Sequence, residues 1–222
     1  MFYMVSDHPG KGNLKSGCIV VLKARSRKNR GEILLACLGN EQSKEWIETF
    51  RKAFIKMISG LKGKSNRNIL RAIQYLLENF FSKNPIRDSL PPICGIICVD
   101  HTFFRFQNTG TIYFLNTRLG YGNAGLKCMP DSFDMPECGN YEEQVGILLT
   151  TGADEGMKSM TDEEEKKWLR TLQSDNVNTS HQMEKRLHES MEYVFNEQYT
   201  YGPMIWIVPR KTPENVSDDQ KD

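Results

Sequence analysis

The sequence predicts an α+β domain in four layers, in which two antiparallel sheets pack together and helices cover their outer faces. Apolar strand patterns follow one another across short gaps, which favours antiparallel pairing. The patterns come in the order two strands, two helices, three strands, one strand, two helices and one strand. Each helical pattern has one apolar face, which needs a sheet to pack against. We therefore expect the helices on the outside of a sandwich of sheets.

The first forty residues predict a β-hairpin. The strand patterns GCIVVLKA (17–24) and EILLACLG (32–39) flank the segment RSRKNR. Asn29 and Gly31 suit a tight turn between them.

Two amphipathic helices are predicted after the hairpin. The first covers EQSKEWIETFRKAFIKMIS and ends at GLKGKS, and the second runs from Asn66 to about Lys83 with Ser65 as its N-cap. Their apolar residues recur every three to four positions, so these residues should form the buried faces. They are Trp46, Ile47, Phe50, Phe54, Met57 and Ile58 in the first helix, and Ile69, Leu70, Ile73, Leu76, Leu77 and Phe80 in the second.

The second half of the chain predicts more strands and a second helical pair. ICGIICV, HTFFRFQ and GTIYFLNT are separated by hairpin-sized gaps, which favours an antiparallel meander. A long loop over residues 117–144 precedes the strand VGILLTT. Thr161 begins a capping box for the helix DEEEKKWLRTL, a second helix runs from about Ser180 to Asn196, and PMIWIVP is the last strand. We expect one domain over residues 1–209 and a disordered polar tail over 210–222.

Composition narrows the classes of partner. The chain has 222 residues, of which 39% are hydrophobic, and its 29 basic and 28 acidic residues leave a net charge of +1. No strong field therefore favours nucleic acid or an anionic membrane, and we expect neither as a partner. No apolar run is long enough to span a bilayer, and MFYMVSDHPG lacks the features of a signal peptide, so we expect a cytoplasmic protein. Its cysteines suit reduced, buried thiols.

Polar or small residues stand at the ends of four apolar strand patterns, where a metal site on a sheet would place its ligands. These segments are LLACLGN (34–40), QNTGTIYFL (107–115), GILLTTGADEGM (146–157) and QYTYGPMIWIV (198–208). In order and spacing they resemble the metal-dependent protein phosphatases of type 2C, whose strands end in D-G, G-D-S-R, S-D-G and D-N. The family's opening N-E-D or N-Q-D motif resembles GKGNLKS. The resemblance implies that five positions correspond to metal-binding aspartates, and here they are Lys15, Leu38, Thr109, Gly152 and Tyr201.

The resemblance also implies that the phosphatase chemistry is absent. Enzymes of this family hold two divalent ions through aspartates, and the ions activate the attacking water. Hard cations need carboxylate oxygens, and none of the five positions is acidic. We therefore expect no catalytic residue, no bound metal and no cofactor in an inactive domain that acts as a binding or regulatory module. The alternative is a divergent, active serine/threonine phosphatase that uses relocated carboxylates, such as Glu41, Asp154 and Glu155, to hold Mn²⁺ or Mg²⁺.

A protein is the expected partner, and the surface around the former cleft is the expected place for it. Its rim would consist of Lys11, Asn13, Gly39, Asn40, Asn108 and Gly110, with the 117–144 loop beside it. Loops held on a rigid sheet are a usual place for recognition. A structural subunit with that loop as its contact surface is a third interpretation. The sequence leaves the oligomeric state and the binding of phosphorylated ligands open.

Overall fold

The computed structural model describes twelve segments of the chain, which contain ten strands and four α-helices. The segments are 4–8, 17–25, 30–61, 63–82, 91–99, 102–116, 126–128, 137–140, 145–150, 161–172, 179–195 and 204–208. The strands are β1 (Met4–His8), β2 (Gly17–Arg25), β3 (Arg30–Gly39), β4 (Ile93–Val99), β5 (Thr102–Gln107), β6 (Thr111–Asn116), β7 (Leu126–Cys128), β8 (Glu137–Asn140), β9 (Val145–Thr150) and β10 (Met204–Val208). The helices are α1 (Lys44–Gly60), α2 (Asn66–Ser82), α3 (Asp162–Leu172) and α4 (Ser180–Phe195), and a 3-10 turn, Glu41–Ser43, precedes α1.

The strands form two five-stranded antiparallel sheets. Sheet 1 has the order β2-β3-β4-β5-β8, and sheet 2 has the order β1-β10-β9-β6-β7. The central strands β4 and β10 are apolar throughout, because both of their faces are covered. In β4 and β10, every residue is buried. This is the arrangement in which each sheet packs on the other sheet with one face and on helices with the other.

The buried residues divide into three cores that correspond to the three layer contacts. The inter-sheet core contains residues of both sheets, among them Leu34 and Leu38 of sheet 1 and Ile112 of sheet 2. A second core, the α1–α2 core, joins the opposite face of sheet 1 to those helices. The third, the α3–α4 core, joins the outer face of sheet 2 to the second helical pair. The predicted four-layer α-β-β-α sandwich is confirmed.

Strand β3 shows how the sequence specifies both faces of a sheet. Leu34, Ala36 and Leu38 belong to the inter-sheet core. Ile33, Leu35 and Cys37 alternate with them and belong to the α1–α2 core. Because side chains on a strand alternate between the two faces, a continuous apolar run is what a strand covered on both sides requires.

Several local predictions are confirmed. The opening hairpin pairs Gly17 with Leu38 and Arg25 with Arg30 in an unbroken register. Helix α2 begins at Asn66 and ends at Ser82, one residue short of the predicted end. The carbonyl of Ser65 accepts hydrogen bonds from the backbone N–H groups of Asn68 and Ile69, so this residue does precede the first turn.

The predicted capping box before α3 is also confirmed. The Glu164 carboxylate accepts from the Thr161 backbone N–H at 2.8 Å, and the Thr161 hydroxyl accepts from the Glu164 N–H at 3.3 Å. Thr179 and Gln182 make the same reciprocal pair before α4. That second box was not predicted.

The predicted cysteine chemistry is confirmed where the structure describes it. Cys37, Cys94 and Cys98 are buried thiols without disulfides. Within the described helices, none combines the length and the apolar character that a membrane crossing requires.

The predicted meander over residues 93–117 is wrong at its second turn. Strands β4 and β5 pair as an antiparallel hairpin, but β5 belongs to sheet 1 and β6 to sheet 2. The three residues 108–110 therefore carry the chain from one sheet to the other. Gly110 has a φ of 72°, a left-handed conformation that glycine adopts without strain. A turn of hairpin length indicates that the chain reverses its direction. It does not determine which strand the next strand pairs with.

The predicted long loop over residues 117–144 is wrong in part. Two short strands interrupt it, with β7 on the edge of sheet 2 beside β6 and β8 on the edge of sheet 1 beside β5. Strand β1, which pairs with β10, was not predicted either. These three strands are short and contain polar residues, so no apolar run marks them in the sequence, and long-range pairing stabilises them. The predicted tail over 210–222 lies outside the described residues.

Candidate functional site

The predicted site lies at one end of the sandwich, where β3 and β5 end and β4 and β6 begin. We call this end the cleft edge, and within the described segments it comprises residues 38–40, Ser43, 91–94, 107–111 and Thr150. The thiol of Cys94 on β4 lies 3.9 Å from the carbonyl oxygen of Thr111 on β6, so the two sheets are in contact here. Thr111 pairs with Thr150 at the end of β9, and Thr150 pairs with Met204 at the start of β10. The strands that lead to the predicted positions thus meet at one edge.

Leu38 is the best-defined of the predicted ligand positions. Its side chain has 0% exposure and belongs to the inter-sheet core, with Cys94 of the same sheet and Ile112 and Leu149 of the facing sheet. Burial raises the pKa of the Cys94 thiol well above its usual range, so this neighbour stays protonated and neutral. The floor of the cleft beside Leu38 is therefore hydrocarbon and an uncharged thiol, a poor environment for a cation.

A tight corner follows Leu38, where the chain leaves β3 and enters the 3-10 turn. The Asn40 side-chain oxygen accepts hydrogen bonds from the Ser43 backbone N–H at 3.2 Å and from the Ser43 hydroxyl at 3.0 Å. The Ser43 hydroxyl also contacts the carbonyl oxygen of Pro92, which precedes β4. Ser43 is wholly buried, and its single hydroxyl proton serves one of these two acceptors at a time. The corner thus joins the exit of β3 to the entrance of β4.

Gly39 allows this corner to close. A Cβ atom at this position would lie 2.4 Å from the Ser43 Cβ and 2.9 Å from the Pro92 carbonyl oxygen. Both distances are far shorter than a normal contact, and one of them involves backbone. The glycine is therefore explained by close packing, and a direct role in binding is not needed to account for it.

Asn108 fixes the crossover between the sheets. Its side-chain oxygen accepts from the Ile93 backbone N–H at 2.7 Å, and its side-chain nitrogen donates to the Pro91 carbonyl at 3.1 Å. The backbone N–H groups of Asn108 and Thr109 both donate to the Ile93 carbonyl, at 3.0 and 3.3 Å. The side chain of Asn108 is half-buried, and its amide holds the crossover against the start of β4.

The structure brings together the six predicted positions that it describes. Gly39 pairs in register with Ile93, the residue that also holds Asn108 and Thr109, so the two groups meet across the start of β4. The set is Leu38, Gly39, Asn40, Asn108, Thr109 and Gly110. Lys11, Asn13, Lys15, Gly152 and Tyr201 lie outside the described residues.

Two residues that hold this edge together, Ser43 and Pro92, were not predicted. One signal was available in the sequence, because N-E-Q-S places an Asn three residues before a Ser at the start of a helix, which is an N-capping pattern. Nothing local in the sequence indicates that the same serine reaches the carbonyl before β4.

The described side chains at the cleft edge do not fit a pair of Mg²⁺ or Mn²⁺ ions. These ions take carboxylate, carbonyl and water oxygens. Leu38 offers only hydrocarbon, and the amide oxygens of Asn40 and Asn108 already accept hydrogen bonds from the backbone. The carboxylate of Glu41, one of the candidate relocated ligands, is exposed to solvent on the 3-10 turn.

Comparison with known proteins identifies the fold. No protein-family model and no curated protein matches the sequence. Solved structures do match. One contains the phosphatase domain and a fragment of the regulatory domain of SpoIIE from Bacillus subtilis, with a TM-score of 0.56, 11% identity and coverage of 94% of this chain and 64% of that chain. The fold is that of the type 2C protein phosphatases. The chain thus spans about two thirds of the SpoIIE structure, and it covers other type 2C domains almost completely.

Two further type 2C structures have similar values. A bacterial serine phosphatase gives a TM-score of 0.51 at 10% identity, covering 94% of this chain and 99% of that one. The serine/threonine phosphatase of S. agalactiae gives 0.50 at 8% identity, with coverages of 92% and 98%. At such low identity the type 2C likeness describes the fold, and function has to be argued from the residues of this chain.

Proposed function

We propose that this chain is a catalytically inactive type 2C-like domain that acts as a binding or regulatory module in the cytoplasm. One observation is the main support. Leu38 is wholly buried in the inter-sheet core at a position where the resemblance to type 2C phosphatases implies a metal-binding aspartate. A leucine cannot bind a divalent ion, and its side chain fills space that a hydrated ion would need. In this proposal Lys15, Thr109, Gly152 and Tyr201 are likewise positions where a ligand has been replaced.

The loss of metal ligands would remove the source of the catalytic power. Paired divalent ions generate the nucleophile by lowering the pKa of a bound water, and they stabilise the charge that develops on the phosphoryl oxygens. Positioning a phosphoester without an activated water leaves most of the barrier in place. No described side chain at the cleft edge is a general base that could replace this chemistry.

A metal titration together with a turnover assay tests the proposal. We expect no saturable binding of Mn²⁺ by calorimetry up to millimolar concentration, and no hydrolysis of para-nitrophenyl phosphate above the buffer rate when Mn²⁺ is added. The S. agalactiae serine/threonine phosphatase, assayed in the same buffer, is the positive control. Metal-dependent turnover that survives further purification would instead support a divergent phosphatase with relocated carboxylates.

The cleft edge is the surface that we propose for a protein partner. Asn40 of this edge and its chain neighbour Glu41 are exposed, and Thr109 is half-exposed, on segments that hydrogen bonds hold to the sheet. Such segments lose little conformational entropy on binding, which favours recognition. This surface differs from the rim expected from sequence in one respect, because the amides of Asn40 and Asn108 are engaged in the fold itself.

Point substitutions can locate this surface. Deletion of residues 120–140 is unsuitable, because it would remove β7 and β8. We expect Thr109→Arg and Glu41→Arg to lower recovery of a partner more than tenfold in quantitative affinity capture with the full chain. Tyr75→Arg, at a side chain that is 69% exposed on α2, is the matched control. A partner that is lost with Tyr75→Arg and retained with Thr109→Arg and Glu41→Arg would contradict this assignment.

A further inference from the structure

We propose that Cys18 and Cys37 form an oxidation site, at which a reversible cross-strand disulfide joins β2 to β3. The two residues lie directly opposite each other in the antiparallel register of these strands. No other register pair of the described strands brings two cysteines together. The inference is independent of the proposed function.

The backbone geometry of such a pair suits a disulfide. Residues directly opposite each other in an antiparallel ladder have Cα atoms about 4.5 to 5.5 Å apart. Disulfides span Cα separations of about 4.4 to 6.8 Å. The link therefore needs no shift of the register, which is unbroken from Gly17 to Arg25.

Both residues belong to the same face of sheet 1. Cys37 is wholly buried in the α1–α2 core, and Val20, two residues after Cys18, belongs to that core as well. Residues two apart on a strand share a face, so Cys18 and Cys37 occupy neighbouring positions on it. Cys94 and Cys98 belong to the inter-sheet core on the opposite face. The fold thus separates this cysteine pair from Cys94 and Cys98.

The place of β2 in the sheet provides a route for an oxidant. In the strand order of the described residues, β2 is the first strand of sheet 1 and pairs with β3. Pairing at the end of a sheet opens locally at a lower free energy than pairing at its centre. Such an opening would expose the buried Cys37 thiol transiently while the rest of the domain stays folded.

The chemistry balances with a peroxide as the oxidant. Hydrogen peroxide converts one thiol to a sulfenic acid and releases one water. The second thiol attacks the sulfenic sulfur, the S–S bond forms, and the hydroxyl leaves with the thiol proton as a second water. Two electrons pass from the thiols to the peroxide, and a dithiol reductant returns them. In the oxidised chain the hairpin is locked directly beside Leu38, at the cleft edge.

Peptide mapping of the full chain tests this assignment. The reduced protein is incubated in glutathione buffers of defined ratio or with hydrogen peroxide, quenched with N-ethylmaleimide and digested with trypsin. Cleavage at Lys and Arg releases Cys18 in residues 16–23 and Cys37 in residues 31–44, each as the only cysteine of its peptide. We expect these two peptides to be linked, and the link to disappear with dithiothreitol. The link should raise the midpoint of thermal unfolding by roughly 5 to 10 °C.

Two controls distinguish the native pair from random oxidation. Cys98→Ser should leave the linked peptide unchanged, whereas Cys18→Ser should abolish it and the rise in melting temperature. In urea-unfolded protein the cysteines should link without preference for this pair. The proposal is overturned if the folded wild-type chain takes up peroxide at Cys18 or Cys37 without linking them, or if a different pair predominates. The peptide map of the wild-type chain decides whether the proposal holds, so the test does not depend on whether the variants fold.

Discussion

Leu38→Asp is expected to destabilise the domain by more than about 4 kcal/mol, a larger loss than either of the proposed glycine-to-alanine substitutions should cause. The substitution places a carboxylate in the inter-sheet core, among Cys94, Ile112 and Leu149, where no described cation could compensate it. Domains of this size are stable by only about 5 to 15 kcal/mol, so much of the variant should be unfolded at 37 °C. Urea unfolding followed by circular dichroism measures the loss.

The response of Leu38→Asp to metal shows whether a single ligand or the whole metal site is missing from the cleft. If only one ligand were missing, an aspartate at Leu38 would restore a site, and millimolar Mn²⁺ would raise the melting temperature by mass action. We expect no such rise. Leu34→Asp is the matched control, since Leu34 lies on the same strand and in the same core, away from the strand end. A rise for Leu38→Asp alone would mean that other ligands survive at this edge, contrary to the proposed loss of the whole metal site.

Gly39→Ala is expected to cost about 2 to 3 kcal/mol, even though it adds a single methyl group. The new carbon would lie 2.4 Å from the Ser43 Cβ and 2.9 Å from the Pro92 carbonyl oxygen, so the end of β3 or the start of β4 would have to move. Equilibrium unfolding in urea measures the effect. The double variant Gly39→Ala with Ser43→Gly removes one of the two contacts, and we expect it to recover part of the lost stability.

Gly60→Ala is the control for this prediction. Gly60 is the last residue of α1, and a Cβ there would meet nothing within 4 Å. Alanine has a higher helix propensity than glycine, so this change should be neutral or stabilising by up to about 1 kcal/mol. If both alanine variants lose the same stability, close packing at Gly39 is not the reason for the glycine.

The sequence predicted the parts of the fold that depend on local patterns. The helix α2 was placed to within one residue because its apolar residues and its breaker segments are all local signals. The same holds for the hairpin of β2 and β3 and for the capping box at Thr161. Each of these features depends on residues that are close in the chain.

Long-range pairing explains what the sequence left unpredicted. Asn108, Thr109 and Gly110 indicate a turn, but their neighbours pair with strands that lie far along the chain, as Thr111 does with Thr150. At the site, the residues on either side of Leu38 indicated the end of a strand. The bond from Ser43 to the carbonyl of Pro92 joins residues 49 positions apart, and no local pattern encodes such a contact.

The alternation of the chain between the two sheets has a consequence for how the domain can fold. Sheet 1 takes the second to fifth strands and the eighth, and sheet 2 takes the first, the sixth, the seventh and the last two. Neither sheet is contiguous in the chain, because strands of the other sheet interrupt each of them. A chain that ends before β10 would leave β1 separated from β9, because β10 pairs with both. Long-range pairing of this kind slows folding, and sheet 2 of a ribosome-bound chain would remain incomplete until β10 has emerged.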